Sequence, residues 1–273
     1  MNFHSDEWIM EQLQAHYNEA LEHFPEDRIV CLILQGSQNY GLDYEDSDID
    51  TKLIITPTFE DIAMNRKAIS TTHIRENDEH IDFKDIRLYI QTFRKQNLNF
   101  LEILYSPYCI VNPMYKAEWN RLVEARETIT RYAPAQAIKS MKGIAKEKYF
   151  AMEHHYPSRM EWINKFGYDP KQLHHLLRVE EYIERYIKGE SYETCLRPRN
   201  PEYLKDVKRG CHNLEEAREL ANKADKHIDE MCDEFLKTCT ATTDTSVDVL
   251  LDDVQYNITK IAIKKEICDQ DVS

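Results

Sequence analysis

The chain has 273 residues, 42% of them hydrophobic, and a formal net charge of −14 at pH 7. A chain of this length and composition can bury a substantial core and is long enough for one large domain or two small ones. The acidity excludes the broad positive surface that proteins use to bind nucleic acid without sequence preference. Any contact with RNA or DNA must therefore come from a local basic patch.

Two further features bear on where the protein acts. No apolar run approaches membrane-spanning length, and the first residues show no cationic, apolar leader. The seven cysteines have no CxxC spacing, which is typical of reduced thiols and not of a disulfide framework or a zinc site. We therefore expect a soluble protein of the cytoplasm.

The first part of the chain predicts a helix followed by two strands. An amphipathic helix is expected from about residue 6 to residue 24. Residues 28–34 form a short apolar run rich in branched side chains, which indicates a buried strand. Residues 48–55 alternate between polar and apolar side chains and predict a second strand.

A Gly-Ser turn lies between these two strands. Gly36 lets the backbone turn sharply and approach a ligand with no Cβ in the way. The Ser37 hydroxyl and the neighbouring N–H groups can bind phosphate oxygens where a short helix begins. Gly41 marks a second position that favours bare backbone.

Two carboxylates begin the second strand. Residues i and i+2 of a strand share a face, so Asp48 and Asp50 point the same way. Such carboxylates repel each other unless a cation lies between them, and Mg²⁺ prefers oxygen ligands of this kind. An acidic hairpin turn is the simpler alternative, since Asp, Ser and Gly are ordinary turn residues. The order of strand, Gly-Ser, Gly and Asp-x-Asp favours a site for a metal-bound nucleotide.

A third carboxylate is sought further along the chain, after a loop expected over residues 57–77. Apolar and polar residues alternate over residues 79–86, and Asp82 faces away from the core in this pattern. Asp85 precedes the helical pattern of residues 86–96 and lies where an N-cap residue would. Asp82 is the favoured candidate, and Asp85 remains the alternative.

The spacing of these residues resembles the signature of the DNA polymerase β-type nucleotidyltransferase superfamily, which Gly36, Ser37, Gly41, Ser47, Asp48 and Asp50 match. The resemblance implies an α+β fold, with a nucleotidyltransferase core made of a mixed sheet and flanking helices. It also implies an NTP as substrate and Mg²⁺, or Mn²⁺ in its place, as cofactor. The implied reaction moves a nucleoside monophosphate to an acceptor hydroxyl and releases pyrophosphate.

The same resemblance implies a role for each candidate residue. Asp48 and Asp50 would hold two metal ions, and Asp82 would bind the ion next to the acceptor and help to remove its proton. Gly36 and Ser37 would hold the β- and γ-phosphates of the NTP.

The pattern becomes helical after about residue 112. We expect a nucleotidyltransferase core over residues 1–112 and an α-helical domain over residues 113–273. Residues 238–246 are polar and predict a loose segment. Residues 247–267 predict one more helix.

One helix of this second half carries polar side chains on a narrow face. Asp169 fits its N-cap, and Lys171, His175 and Arg178 follow at helical spacing. A cation in the first helical turn opposes the helix dipole, so Lys171 indicates an anion nearby. A solvated cationic stripe on a surface helix is the alternative.

This stretch is also similar to a subgroup, the phage and bacterial predicted nucleotidyltransferases related to RNA-ligase-associated polymerase β-like proteins. The subgroup resemblance runs from the Gly-Ser turn to about Ala217. It implies that Lys171, His175 and Arg178 bind the triphosphate or an acceptor phosphate. Gln38 stands where many such relatives carry Arg, which makes this second source of positive charge more important.

Three functions therefore remain open. The first is transfer to an RNA end, which would contact a local basic patch such as Lys139, Lys142 and Lys146 on one helix, although a solvated face is the favoured interpretation of these lysines. The second is nucleotidylation, for example adenylylation, of a protein or a small molecule, which the acidic charge favours. The third is a non-catalytic nucleotide-sensing protein, which the intact set of acids disfavours.

Overall fold

The computed structural model describes residues 3–270, and these form two compact units. The first unit contains the described residues up to Tyr132 together with those from Thr243 onward, and the second is Ala133–Thr242. Within the described range, no helix is both long enough and apolar enough to cross a lipid bilayer.

One sheet forms the centre of the first unit, with its strands in the order β3-β4-β2-β1-β5. The strands are β1 Ile29–Gln35, β2 Asp50–Ile55, β3 Ser70–Ile74, β4 His80–Asp85 and β5 Cys109–Val111. The β2 and β4 strands pair in parallel, whereas the other neighbouring strands pair antiparallel. This mixed sheet with flanking helices confirms the α+β fold expected from the sequence.

In the first unit, helices precede, separate and follow the strands along the chain. In the second unit, the helices follow one another with no strand between them. Their bounds in chain order are α1 Asp6–His23, α2 Phe59–Ala63, α3 Ile86–Arg94, α4 Leu98–Leu101, α5 Lys116–Glu124, α6 Arg126–Arg131, α7 Pro134–Ala151, α8 Met160–Phe166, α9 Pro170–Ile187, α10 Tyr192–Leu196, α11 Pro201–Lys208, α12 Leu214–Thr238 and α13 Thr245–Gln270. Short 3-10 turns occupy Glu26–Arg28, Ser37–Tyr40, Glu102–Tyr105 and Pro157–Arg159.

The loop expected over residues 57–77 is wrong, because this segment contains α2 and the strand β3. The β3 strand lies at the edge of the sheet, and none of its residues is fully buried. A strand without a buried face has no alternation of polar and apolar residues, so this pattern gave no signal for it.

One face of the sheet is covered by α1. The apolar residues of α1 recur at the spacing of a helix face and pack on the strands. This core contains Ile9, Leu13, Tyr17 and Ala20 from α1 and Leu32, Leu34, Leu53, Ile55, Ile81 and Phe83 from the sheet. The opposite face of the same strands carries the polar side chains of the candidate site, because strand residues alternate between the two faces.

The last helix, α13, packs on α3 and α5 of the first unit. Its buried residues are Val247, Leu251, Val254, Ile258 and Ala262. The helix expected over residues 247–267 is therefore present. The expected domain division near residue 112 stays a prediction, since compact units are defined by contacts and domains by independent folding.

The second unit is built around α9, which contacts α7, α10, α11 and α12. Leu173, Leu176 and Ile183 of α9 are fully buried in this unit. The polar segment expected to be loose lies between the end of α12 at Thr238 and the start of α13 at Thr245.

Shortening a buried side chain of α13 should destabilise the first unit. Leu251 is fully buried, so Leu251→Ala should lower the free energy of unfolding by about 2–5 kcal/mol. Val249 lies on the same helix and is 68% exposed, so Val249→Ala is the matched control, with a change within about 0.5 kcal/mol. Urea denaturation followed by circular dichroism measures both. Equal losses in the two variants would contradict this packing of α13.

Candidate active site

The Gly-Ser turn follows the end of β1 and is fixed by backbone geometry. Gly36 adopts φ 117° and ψ −160°, a conformation that side-chain-bearing residues rarely take. The first atom that a Cβ at Gly36 would meet is Gln38 Oε1 at 3.5 Å, so the glycine is required by conformation and not by lack of space. Gly41 is left-handed at φ 68° and ends the turn. The Gly-Ser turn therefore offers open, fixed backbone beside the sheet.

Hydrogen bonds of polar side chains attach this turn to the rest of the first unit. Asn39 Nδ2 donates to the carbonyl oxygen of Leu34 at 3.0 Å, and Ser106 Oγ donates to Asn39 Oδ1 at 2.8 Å. The Tyr40 hydroxyl donates to the carboxylate of Glu102, and both residues are buried. These bonds fix the position of the turn relative to β1.

Gln38 has a structural role that the sequence did not reveal. Its side chain is buried, and its Nε2 donates to the backbone oxygen of Asp48 at 2.9 Å. The residue that stands in the place of an expected cation thus links the Gly-Ser turn to the acidic strand. No local pattern in the sequence could have indicated this bond, since it joins residues on two separate segments.

The first two candidate acids lie at the beginning of β2. Asp48 precedes the strand and is exposed, whereas Asp50 is its first residue and is partly buried. Asp50 Oδ1 accepts the N–H of His80 at 3.1 Å, and His80 Nδ1 lies 3.6 Å from the same oxygen. Asp50 is therefore tied to the start of β4.

The third candidate acid lies on the neighbouring strand. The parallel register pairs Asp82 of β4 with Lys52 of β2, so Asp82 shares a face with Asp50, two residues before Lys52. Asp82 Oδ2 lies 3.3 Å from Lys52 Nζ, and Asp82 Oδ1 accepts the hydroxyl of Thr72 at 2.6 Å. The face predicted for Asp82 by the sequence is the face that it occupies.

Two lysines accompany Asp82 on this face. The ammonium groups of Lys52 and Lys84 lie 4.5 Å and 4.6 Å from the centre of the Phe100 ring, at distances typical of cation–π contacts. Burial lowers the pKa of Lys84, as does the nearby charge of Lys52, while Asp82 acts in the opposite direction. Asp82 therefore balances positive charge that the sheet itself supplies.

Asp85, the alternative third acid, is engaged elsewhere. It is buried as the N-cap of α3 and accepts the backbone N–H of Arg87 at 2.8 Å. The guanidinium of Arg87 also binds both of its oxygens, at 3.0 Å and 2.6 Å. Asp85 pairs with Ile55, which belongs to the core face of β2. The geometry therefore favours Asp82 over Asp85.

The donor chemistry of the three acids fits a hard divalent cation, since all three offer carboxylate oxygens. Asp50 and Asp82 share one sheet face, and Asp48 lies two residues before the start of the same strand. Among residues 3–270, no group of three or more His, Cys, Asp or Glu side chains is arranged to hold a metal ion. Metal binding by these acids stays a prediction.

The second group of candidate residues lies on α9 in the second unit. Asp169 caps this helix by accepting the N–H of Lys171 at 2.9 Å. Lys171, His175 and Arg178 are all partly buried, and their spacing places them on one helix face. The structure therefore brings these three together on α9, whereas the three acids belong to the first unit.

The charge around these residues is positive. Burial lowers the pKa of His174 to about 4, although a hydrogen bond to the Leu204 carbonyl opposes this, and Arg178, Lys208 and Lys171 lower it further. Burial, His174 and the same kind of nearby cations hold the pKa of His175 well below its usual range. His175 is therefore a neutral imidazole near pH 7 and not a third cation.

The candidate basic patch on α7 is used in helix packing. Lys142 Nζ lies 3.0 Å from Asp229 and 2.7 Å from Asp233 of α12. Lys146 Nζ lies 2.6 Å from Asp225 and 2.8 Å from Asp229. Both lysines are thus neutralised by acids within the second unit. This finding weakens the expectation that they bind a nucleic-acid backbone.

Comparison with known proteins identifies the family of this chain. The model of the RNA repair pathway DNA polymerase beta family, RlaP, matches residues 6–185. This range includes the Gly-Ser turn, the three acids and α9 as far as Arg185. No curated protein matches the chain.

Solved structures provide one further similarity. The chain is similar to a nucleotidyltransferase-like protein from Exiguobacterium sibiricum 255-15, with 11% sequence identity and a TM-score of 0.29 over 83% of this chain and 75% of that chain. At this TM-score the structural similarity carries no argument, so the family match is the finding on which function is based.

Removing the N-cap of α3 should destabilise the first unit. Asp85→Ala removes an N-cap acceptor and should lower the free energy of unfolding by about 1–2 kcal/mol. Asp85→Asn keeps an oxygen at the cap and should lose less. Chemical denaturation of the two variants and the wild type measures this order. Equal losses would show that the charge beside Arg87 matters and that the cap does not.

Proposed function

Because the chain belongs to the RNA repair pathway DNA polymerase beta family, it is an enzyme of the nucleotidyltransferase class, and we propose that Asp48, Asp50 and Asp82 are its catalytic acids. The family match confirms the superfamily resemblance seen in the Gly-Ser turn and the Asp-x-Asp pair. The observation that carries the proposal is the register of β2 and β4, which places Asp82 on the face of Asp50.

The proposed reaction moves a nucleoside monophosphate from an NTP to an acceptor hydroxyl. Asp48 and Asp50 are the residues that would hold Mg²⁺ or Mn²⁺, and Asp82 is the group that would accept the proton of the acceptor. A divalent cation bound there would supply positive charge to the triphosphate and to the leaving pyrophosphate. Asp82 lies on the face of Asp50, and its carboxylate is held by Lys52 and Thr72.

Gly36 and Ser37 are proposed to bind the β- and γ-phosphates of the NTP. The backbone at Gly36 is bare and fixed, and Ser37 begins a short 3-10 turn. The first N–H groups of such a turn have no acceptor within the turn itself. Gln38 joins this turn to Asp48. The bond supports a common site for phosphates and acids, since it couples the positions of the two segments.

Lys171, His175 and Arg178 are proposed to bind phosphate of the NTP or of the acceptor. Burial is the main cause of the lowered pKa values of His174 and His175, and the charges of Arg178 and Lys171, which lower them further, also attract anions. A neutral His175 can donate one hydrogen bond to a phosphate oxygen without adding charge.

An RNA end is the first proposed acceptor, because the family description names RNA repair. A protein or a small hydroxylated compound is the second candidate, and one observation favours it. The lysines of α7 that seemed available to RNA are neutralised by α12, in a chain whose net charge is −14. The described residues contain no disulfide, which supports the proposal that the enzyme acts in the cytoplasm.

Substitution of the first two acids should abolish transfer. We expect Asp48→Ala and Asp50→Ala each to lower the rate by about 100-fold or more, because both remove charge from the reacting centre. The measurement uses labelled NTPs, Mg²⁺ and a panel of RNA ends, and follows transfer and pyrophosphate release. Asp85→Asn is the control and should retain activity, because Asp85 faces the core and caps α3.

Other results of this experiment distinguish the candidate functions. Label on a protein in a lysate, without label on RNA, would select the second acceptor class. Binding of Mg-NTP in calorimetry without turnover on any acceptor would indicate a nucleotide sensor. Wild-type rates in both alanine variants would contradict the proposed site.

Neutralising the α9 cations should weaken NTP binding more than the chemical step. Lys171→Met and Arg178→Met should each raise the KM for NTP about tenfold, since a charged hydrogen bond contributes about 1.5–3 kcal/mol. Lys188→Met is the matched control, because Lys188 follows the same helix and pairs with Glu184. Initial rates at varied NTP and acceptor concentrations measure the change. A rise in the acceptor KM alone would assign this face to the acceptor.

A further inference from the structure

We propose that Glu79 is a positioning residue of the active site, which acts by fixing the backbone between Asp48 and Asp50. The inference rests on the proposed function of these acids. It is based on a buried hydrogen-bond network that links the first residues of β2 to α1 and to the chain before β4.

Glu79 binds the peptide group between the two acids. Its Oε1 accepts the N–H of Ile49 at 3.1 Å, and the Ile49 side chain is fully buried. Asp50 Oδ1 in turn accepts the N–H of His80, the residue after Glu79. Each chain segment therefore binds a backbone N–H of the other with a carboxylate. This reciprocal pair extends the contact of β2 with β4 past the backbone pairing, which begins at Thr51 and Ile81.

His16 of α1 connects Glu79 to the other side of Asp50. The ring is fully buried, with Nε2 3.0 Å from Glu79 Oε2 and Nδ1 3.0 Å from Thr51 Oγ1. Since Ile49 precedes Asp50 and Thr51 follows it, the network holds the backbone on both sides of this acid. The helix that covers the core face thereby also fixes the orientation of the acid on the opposite face.

The charge of Glu79 makes it a strong acceptor. Burial would raise the pKa of Glu79, but hydrogen bonds from His16, Asn77 and the Ile49 N–H outweigh it and lower the pKa to about 2. Arg75 Nη1 also lies 2.5 Å from Glu79 Oε2. The side chain is therefore a carboxylate at any working pH, and bonds to an ionised acceptor are stronger than neutral ones.

Glu19 provides a matched control within the same network. Its carboxylate binds Arg75 at 2.7 Å and His73 at 2.6 Å, as Glu79 binds Arg75 and His16. Glu19 lies on α1, and these bonds run to β3 and to Arg75 just after it, not to the residues that flank Asp50. A loss of charge beside Arg75 can thus be separated from a loss of the contact with Ile49.

The test is the binding of Mn²⁺ to the full chain, followed by electron paramagnetic resonance. Glu79→Ala should weaken Mn²⁺ binding about tenfold, because the backbone that carries Asp48 and Asp50 loses its anchor. Glu79→Gln retains an oxygen for the Ile49 N–H and should bind Mn²⁺ within about threefold of the wild type. Glu19→Gln should bind Mn²⁺ like the wild type, and circular dichroism should show that all variants are folded.

Hydrogen exchange of the Ile49 amide reports the contact independently of metal and of turnover. Exchange should be faster in Glu79→Ala and unchanged in Glu19→Gln. If the wild type binds Mn²⁺ but transfers no nucleotide, the proposed function is contradicted. The positioning role is then decided by Mn²⁺ affinity and by exchange of the Ile49 amide. Absence of Mn²⁺ binding in the wild type, equal affinity in all variants, or an equal loss in Glu19→Gln would overturn the positioning role.

Discussion

The candidate site depends on the parallel pairing of β2 with β4. Parallel strands need a crossover connection, and here it contains α2 and the edge strand β3. The register that results pairs Lys52 with Asp82 and Ile55 with Asp85. Because strand residues alternate between faces, one register decides two roles at once. Asp82 joins the face of Asp50, while Asp85 takes the core side of β4 at its last position and caps α3, the helix that follows it in the chain. A slip of one residue would exchange these roles.

The same pairing sets a charge balance that constrains the chemistry. The Lys52 side chain is almost fully buried, and an ammonium in such a place needs a partner to offset its lost hydration. Asp82 supplies this partner, so it serves the stability of the fold as well as the proposed reaction. A variant without Asp82 would leave an unpaired buried ammonium. Loss of activity in an Asp82 variant would therefore have two causes, the loss of the proposed catalytic group and the loss of the partner of Lys52. Asp48 is exposed, so its substitution does not leave a buried charge unpaired.

The sequence predicted the parts of the site that follow from local periodicity. Alternation over residues 48–55 and 79–86 placed Asp50 and Asp82 on strands and Asp82 away from the core, as the structure does, whereas the expected strand position of Asp48 is wrong because β2 begins at Asp50. The strand β3 was not predicted, because an edge strand without a buried face shows no alternation of polar and apolar residues. The packing partners of α13 could not be predicted, because the sequence of a helix does not show which other helices it packs on. The structural roles of Gln38 and Glu79 could not be predicted, because their hydrogen bonds join segments that are distant in sequence and meet only in the folded sheet.

The net negative charge of the chain says less about its partners than the local arrangement of its charges does. Net charge alone argues against nucleic acid as a partner, but charge acts over about 10 Å at 0.1 M salt, so its local arrangement matters more than its sum. Acids of α12 neutralise Lys142 and Lys146 on α7, which removes one basic surface. On α9, burial is the main cause of the lowered pKa of His175, and the nearby charges of Arg178 and Lys171 lower it further. The proposal that α9 binds phosphate is therefore compatible with the negative charge of the whole chain, because the local charge at a site differs from the net charge.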